Sequence, residues 1–194
     1  MRRSVVVTDH LEVCFASHEI NSPLACSGEE SRYTGPSTSM AAQEFITHSA
    51  EETVALGRSL AEMLAPPKLV LLRGDLGAGK TTLVKGVAEA FHAASADDVT
   101  SPTFTLVHQY RGPEVNLYHI DLYRVDTPRQ LETLGLDDLI ADNSILLIEW
   151  GEKFARFEHE RDVEIALARV EAEAGEQIGD RFSENDRRIR IITS

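Results

Sequence analysis

Positive charge is scarce in this chain. It sets 19 lysines and arginines against 32 aspartates and glutamates, for a formal net charge of −13. A protein that grips a nucleic-acid backbone by itself presents a basic stripe. The densest basic cluster here, Arg187-Arg188-Ile189-Arg190, is short and near the end. Any nucleic acid in the function is therefore expected to be held by another protein. Long apolar runs are missing too, since none approaches the roughly 18 residues that a membrane helix requires. The opening stretch has Arg2 and Arg3 but only Val5-Val6-Val7 before polar residues return, too little for a secretory leader. Cysteine is nearly absent. Cys14 and Cys26 form no metal-type spacing, and free thiols in a reducing cytoplasm are expected.

What is present centres on Gly74-Asp75-Leu76-Gly77-Ala78-Gly79-Lys80-Thr81, which fits G-x-x-x-x-G-K-[ST], the phosphate-binding loop. Its flanks suit it. Lys68 to Arg73 is a short apolar, β-prone run, and Leu83, Val84, Val87, Ala88 and Phe91 recur afterwards at helical spacing. Glycines allow the tight turn that aims successive N–H groups at phosphate oxygens, and the helix N-terminus adds its partial positive charge there. In this pattern Lys80 reaches the β- and γ-phosphates of a nucleotide and the Thr81 hydroxyl ligates Mg²⁺. A glycine-rich turn that merely opens a helix would seldom carry the whole pattern with both flanks correct.

At 194 residues the chain is long enough for one domain with a sizeable core. Residues 1–40 are polar and turn-rich, and are expected to be a disordered or mis-annotated extension. Residues 41–194 are expected to form a single domain around the phosphate loop. Ser49-Ala50-Glu51-Glu52 reads as a capping box opening an amphipathic helix that stops before Pro66-Pro67. Thr47 to Ser49 are weak candidates for contacts to a base, with plain capping favoured. Phe104–Tyr110 and Val115–Tyr123, joined by Arg111-Gly112-Pro113-Glu114, read as a β-hairpin. The hydroxyl run Ser101-Pro102-Thr103 before it resembles a switch loop, or simply a polar lead into a strand. Asp121 stands inside a strand, where propensity disfavours it, and a place beside Mg²⁺ is favoured over a solvent-facing one. His119 is expected to be a packed or surface histidine, and Arg124 an ion-pair partner. Thr127-Pro128 opens a short helix with Leu131, Leu134 and Leu136 on its buried side. Ser144 to Glu149 is a buried strand tipped by an acid, which makes Glu149 the first choice for a catalytic or metal-associated carboxylate. Val163–Leu167 and Ile189–Ile192 read as further strands.

Four separated motifs, the phosphate loop through Thr82, Ser101-Pro102-Thr103-Phe104-Thr105-Leu106, His119-Ile120-Asp121-Leu122-Tyr123-Arg124 and Ile148-Glu149-Trp150, stand in this order. Together they resemble the bacterial TsaE (YjeE) family, from about Phe45 to Leu167. The resemblance implies an α/β, P-loop NTPase-like sheet with flanking helices and a β-hairpin. It implies a cytoplasmic, Mg²⁺-dependent ATPase required for threonylcarbamoyladenosine (t6A) at position 37 of tRNAs reading ANN codons. It implies partnership with the TsaD–TsaB complex, which ATP hydrolysis would reset between turnovers, so that tRNA is met only through that complex. By motif position, Gly74, Asp75, Leu76, Gly77, Ala78, Gly79, Lys80, Thr81 and Thr82 would hold the nucleotide and Trp150 would pack near it. Lys80, Asp121 and Glu149 would be catalytic, and Thr81, Asp121 and Glu149 would serve the metal. The competing readings are a small-molecule kinase on the same loop and a nucleotide-dependent assembly switch.

The composition break near residue 40 also makes Met40 a candidate physiological start. Intact-mass measurement on the native protein is expected to give the shorter chain; the full-length mass would reject that start.

Overall fold

The computed structural model describes residues 42–170 and 183–193, and the expectations placed on residues 1–40 lie outside them. In chain order the elements are β1 (Ala42–Thr47), α1 (Ala50–Ser59), β2 (Lys68–Arg73), α2 (Lys80–Ala90), β3 (Val107–Arg111) and β4 (Asn116–Asp121). They continue with α3 (Pro128–Glu132), β5 (Ser144–Glu149), α4 (Ala155–Glu160), β6 (Val163–Arg169) and β7 (Arg187–Thr193). One seven-stranded sheet runs in the order β1-β7-β6-β2-β5-β4-β3. Its middle is parallel, with β2 between β5 and β6 and β4 beyond β5. Both flanks are antiparallel, β3 against β4 on one side and β6, β7 and β1 on the other.

The central strands are apolar on both faces because both are covered. Val70 and Leu72 of β2 join Leu117, Ile145, Leu147 and Ile165 beneath the apolar sides of α1 and α2. Leu69 and Leu71 point the other way, with Ile120 and Ile148, onto Leu131, Leu136, Phe154 and Phe157. Side chains alternate along β4, so Leu117 belongs to one layer and Tyr118, Ile120 and the following Leu122 to the other. Burial at these positions supplies most of the driving force for the fold, at about 25 cal/mol per Å² of apolar surface.

Local signals behave as their chemistry dictates. The Ser49 side chain accepts from the Glu52 amide at 3.1 Å, while Glu52 reaches back to the His48 amide rather than that of Ser49. Thr47 is buried on the Thr53 hydroxyl at 2.8 Å. Thr127 and Gln130 close a complete capping box on α3, with Pro128 at its first turn.

Several boundaries differ from the expectations. The first hairpin strand begins at Val107, not Phe104, because the Leu106 amide turns back onto the Pro102 carbonyl and Leu106 takes φ +65°. Its partner ends at Asp121, not Tyr123. β1 and α4 carried no sequence expectation. β1 is a half-exposed strand that pairs with β7, far along the chain, and α4 is short.

Glycine sets the approach of α1 to α2. A Cβ built on Gly86 would lie 1.9 Å from the Val54 carbonyl oxygen, and one on Gly57 would lie 2.3 Å from that of Leu83. The helices meet backbone to backbone, so neither position has room for a methyl group. Gly86→Ala is expected to destabilise the protein by about 1–3 kcal/mol through overpacking, despite alanine's better helix propensity. Chemical denaturation checks this, and an unchanged or raised midpoint would contradict the packing.

Candidate nucleotide site

The site lies at the carboxyl ends of the parallel strands, where open α/β sheets leave a crevice. β2 ends at Arg73, the glycine loop crosses its end, and α2 begins at Lys80. Gly74, Gly77 and Gly79 all take positive φ, at +137°, +77° and +104°. At Gly74 space is limiting as well, since a Cβ there would come 2.2 Å from the Leu167 carbonyl oxygen of β6. The N-cap residue of α2 is Gly79, which has no side chain to cap the helix. An N-terminus of this kind suits an anion.

Lys80 is only 4% exposed. Its ammonium donates to the carbonyls of Gly74 at 2.6 Å and Asp75 at 3.1 Å, and lies 3.6 Å from Glu149 Oε2. These contacts offset the cost of burying the charge. Trp150 covers the group from outside, its ring centroid 4.6 Å from Lys80 Nζ. Trp150 itself takes φ +62° and packs on Tyr123 at 5.2 Å between ring centroids.

Two carboxylates arrive from adjacent strands, where Asp121 of β4 pairs in register with Glu149 of β5. Both are buried. Glu149 Oε1 accepts from the Thr81 hydroxyl at 3.0 Å and lies 2.8 Å from His119 Nε2. Asp121 instead gathers the hydroxyl loop. Its Oδ2 accepts from Thr103 at 2.6 Å and Ser101 at 3.2 Å, and its Oδ1 from the Tyr123 amide at 3.0 Å. The structure therefore brings Lys80, Thr81 and Glu149 into direct contact, with Asp121 one strand away holding Ser101 and Thr103. Among the described residues, no cluster of three or more His, Cys, Asp or Glu side chains forms a metal cage.

Of the two places expected for His119, packed or at the surface, the structure has the packed one, and it adds a bond to Glu149. One expectation needs correction: Arg124 forms no ion pair among the described residues and lays its guanidinium over the exposed Phe104 ring, 4.3 Å from the centroid. Sequence reasoning also missed two arginines. Arg169 and Arg187 are register partners on β6 and β7. A Cβ built on Gly77 would lie 3.0 Å from Arg169 Nη2, and one on Gly79 would lie 4.0 Å from Arg187 Nε. Only the pairing of two distant strands sets them beside the loop. At the same turn, Asp186 is buried against the Ser183 hydroxyl at 2.7 Å and His48 Nδ1 at 3.2 Å. Burial alone would raise its pKa, but the Ser183 and His48 contacts outweigh it and hold the carboxyl below its ordinary range.

A strand, a glycine loop and a helix on a parallel sheet, with an acid at the tip of the neighbouring strand, define the P-loop NTPase-like class of α/β protein. The model of one family within that class, described as threonylcarbamoyl adenosine biosynthesis protein TsaE, matches residues 47–178. The chain belongs to the TsaE family. It is similar to the tRNA threonylcarbamoyladenosine biosynthesis protein TsaE of Rickettsia bellii, 39% identical over 107 residues that span 55% of this chain and 73% of that protein. The TsaE protein of Aquifex aeolicus is 41% identical over 111 residues, 57% of this chain and 78% of that one. Among solved structures, Bacillus subtilis YdiB superimposes with a TM-score of 0.58 at 28% identity, covering 81% of this chain and 88% of that one.

Trp150 is the sole tryptophan of the sequence, so its emission reports on the space above Lys80. Titration with ATP and Mg²⁺ is expected to give a saturable fluorescence change. In Lys80→Ala the apparent affinity should fall roughly ten- to a hundredfold, the loss of one charge-assisted contact of about 1.5–3 kcal/mol. Emission blind to nucleotide would detach Trp150 from the site.

Proposed function

We propose that the chain is a slow Mg²⁺-dependent ATPase serving t6A formation at position 37 of tRNAs reading ANN codons. One observation carries this reading. Lys80, Thr81 and Glu149 converge beneath a glycine loop, with the Thr81 hydroxyl 3.0 Å and the Lys80 ammonium 3.6 Å from the two oxygens of one carboxylate.

ATP and Mg²⁺ fit the donor set. The loop amides and Lys80 would hold the phosphates, and the Thr81 hydroxyl with Asp121 and Glu149 offers the hard oxygens that magnesium prefers. When bound, magnesium would neutralise charge on the phosphates. The chain's own residues do the rest. Lys80 exchanges its two carbonyl contacts for phosphate oxygens, and Glu149 orients water and accepts its proton. Asp121 holds Ser101 and Thr103 at the rim, and Trp150 with Tyr123 shields the ammonium from solvent.

The TsaD–TsaB complex is proposed as the partner, reset between turnovers by ATP hydrolysis, with tRNA bound through it. Two features support a protein partner. Leu76 and Phe104, 79% and 81% exposed, stand on loops at the site with half-exposed Tyr123 between Asp121 and Arg124. The net charge of −13 disfavours a direct grip on RNA. Among the described residues, no helix is long and apolar enough to cross a membrane.

ATP hydrolysis by the purified chain is expected to be slow alone and faster with TsaD and TsaB, and to vanish in Lys80→Ala. A response to a metabolite and not to those proteins would favour the kinase reading. Binding without turnover under both conditions would favour the assembly switch. For Asp121→Ala, the magnesium titration of activity should shift to higher concentrations; an unchanged titration would leave Asp121 as a tether for the hydroxyl loop.

A further inference from the structure

His119 is the most deeply buried polar group of the site, with no exposed surface. It lies on β4, directly across from Leu147 of β5 and two residues before Asp121. Its Nε2 is 2.8 Å from Glu149 Oε1. A carboxylate only accepts, so Nε2 must carry the hydrogen. Its Nδ1 is buried with no partner among the described residues. An imidazole in a β-sheet core, satisfied at one nitrogen only, weakens the fold relative to an apolar residue. Such an unfavourable choice is most often kept where a site depends on it.

The geometry points to His119 as a positioning residue for Glu149, an inference that rests on the ATPase reading above. Glutamate has three free torsions, and this one stands within reach of a buried ammonium. Unrestrained, it would turn both oxygens toward Lys80, the ion that must be released to phosphate. His119 from β4 and Thr81 from α2 instead share Oε1, leaving Oε2 facing the loop at 3.6 Å from Lys80. His119 thereby acts through Glu149 without touching nucleotide. It keeps the carboxylate from collapsing onto the lysine and presents one defined oxygen to the reacting water. Removing it should spoil turnover while sparing nucleotide affinity.

The test uses the full chain, with steady-state ATP hydrolysis measured in the presence of TsaD and TsaB and nucleotide affinity read from Trp150 emission. His119→Leu is expected to lower kcat about ten- to a hundredfold, with Kd for Mg-ATP changed by no more than about threefold. His119→Gln, whose amide can still donate to Glu149, should recover most of the loss, whereas the shorter His119→Asn should not. In a Glu149→Ala background, His119→Leu should have no further effect, because the two act as a unit. Wild-type kcat in His119→Leu, equal losses in kcat and affinity, or full additivity with Glu149→Ala would each overturn the proposal. Should His119→Leu fail to fold, the Gln and Asn variants carry the comparison, and equal rates in those two overturn it. If Glu149→Ala alone hydrolyses ATP at the wild-type rate, the role of Glu149 falls and this inference with it. A normal His119→Leu beside an inactive Glu149→Ala removes the inference and leaves the ATPase reading standing.

Discussion

Around the carboxylate of Glu149 the elements that matter meet within a few ångströms. Its two oxygens contact the ammonium of Lys80, the hydroxyl of Thr81 and the imidazole of His119. Those groups come from α2 and β4, while Glu149 itself ends β5. Burying an acid and a lysine together is costly unless their remaining donors and acceptors are met. Here they are met by loop carbonyls, a hydroxyl and a ring nitrogen. The cluster therefore constrains everything near it: how closely α2 approaches β5, where the glycine loop lies, and which face of β4 carries polar residues.

The sheet serves this constraint. β5 inserts between β2 and β4, so the loop and both acids open at the same edge. Helices on the two faces bury Val70 and Leu72 on one side and Leu69 and Leu71 on the other. The strand beneath the loop is thus packed on both faces, as a preorganised site requires. The outer antiparallel strands play a lesser part. They bring Arg169 and Arg187 to the loop glycines and close the far edge with β1.

Much of this could be read in the residue order, and the reasons are specific. The glycine loop is local, because positive φ and a lysine at fixed spacing act within a few residues. The strand ending at Glu149 was readable because β5 is buried along its whole length, and the capped start of α3 because the Thr127–Gln130 box is self-contained. What escaped was non-local. β1 is a polar-fronted strand whose partner β7 lies far away in sequence. His119 looks unremarkable until β4 and β5 pair and point it at Glu149. Arg124 finds Phe104 only because Pro102–Leu106 folds into a turn and not a strand.

By itself the sequence determined that a phosphate loop would sit between a strand and a helix, that Glu149 would tip a buried strand and Asp121 would stand in another, and that family motifs run in order. Those features rest on local backbone preferences and on periodic apolar patterns, which need no knowledge of distant partners. The tertiary structure alone decided that Glu149 is shared by Lys80, Thr81 and His119, while Asp121 holds the hydroxyl loop. Contacts between side chains on separate strands depend on register and crossing order, and no stretch of residues carries that information until the sheet has formed.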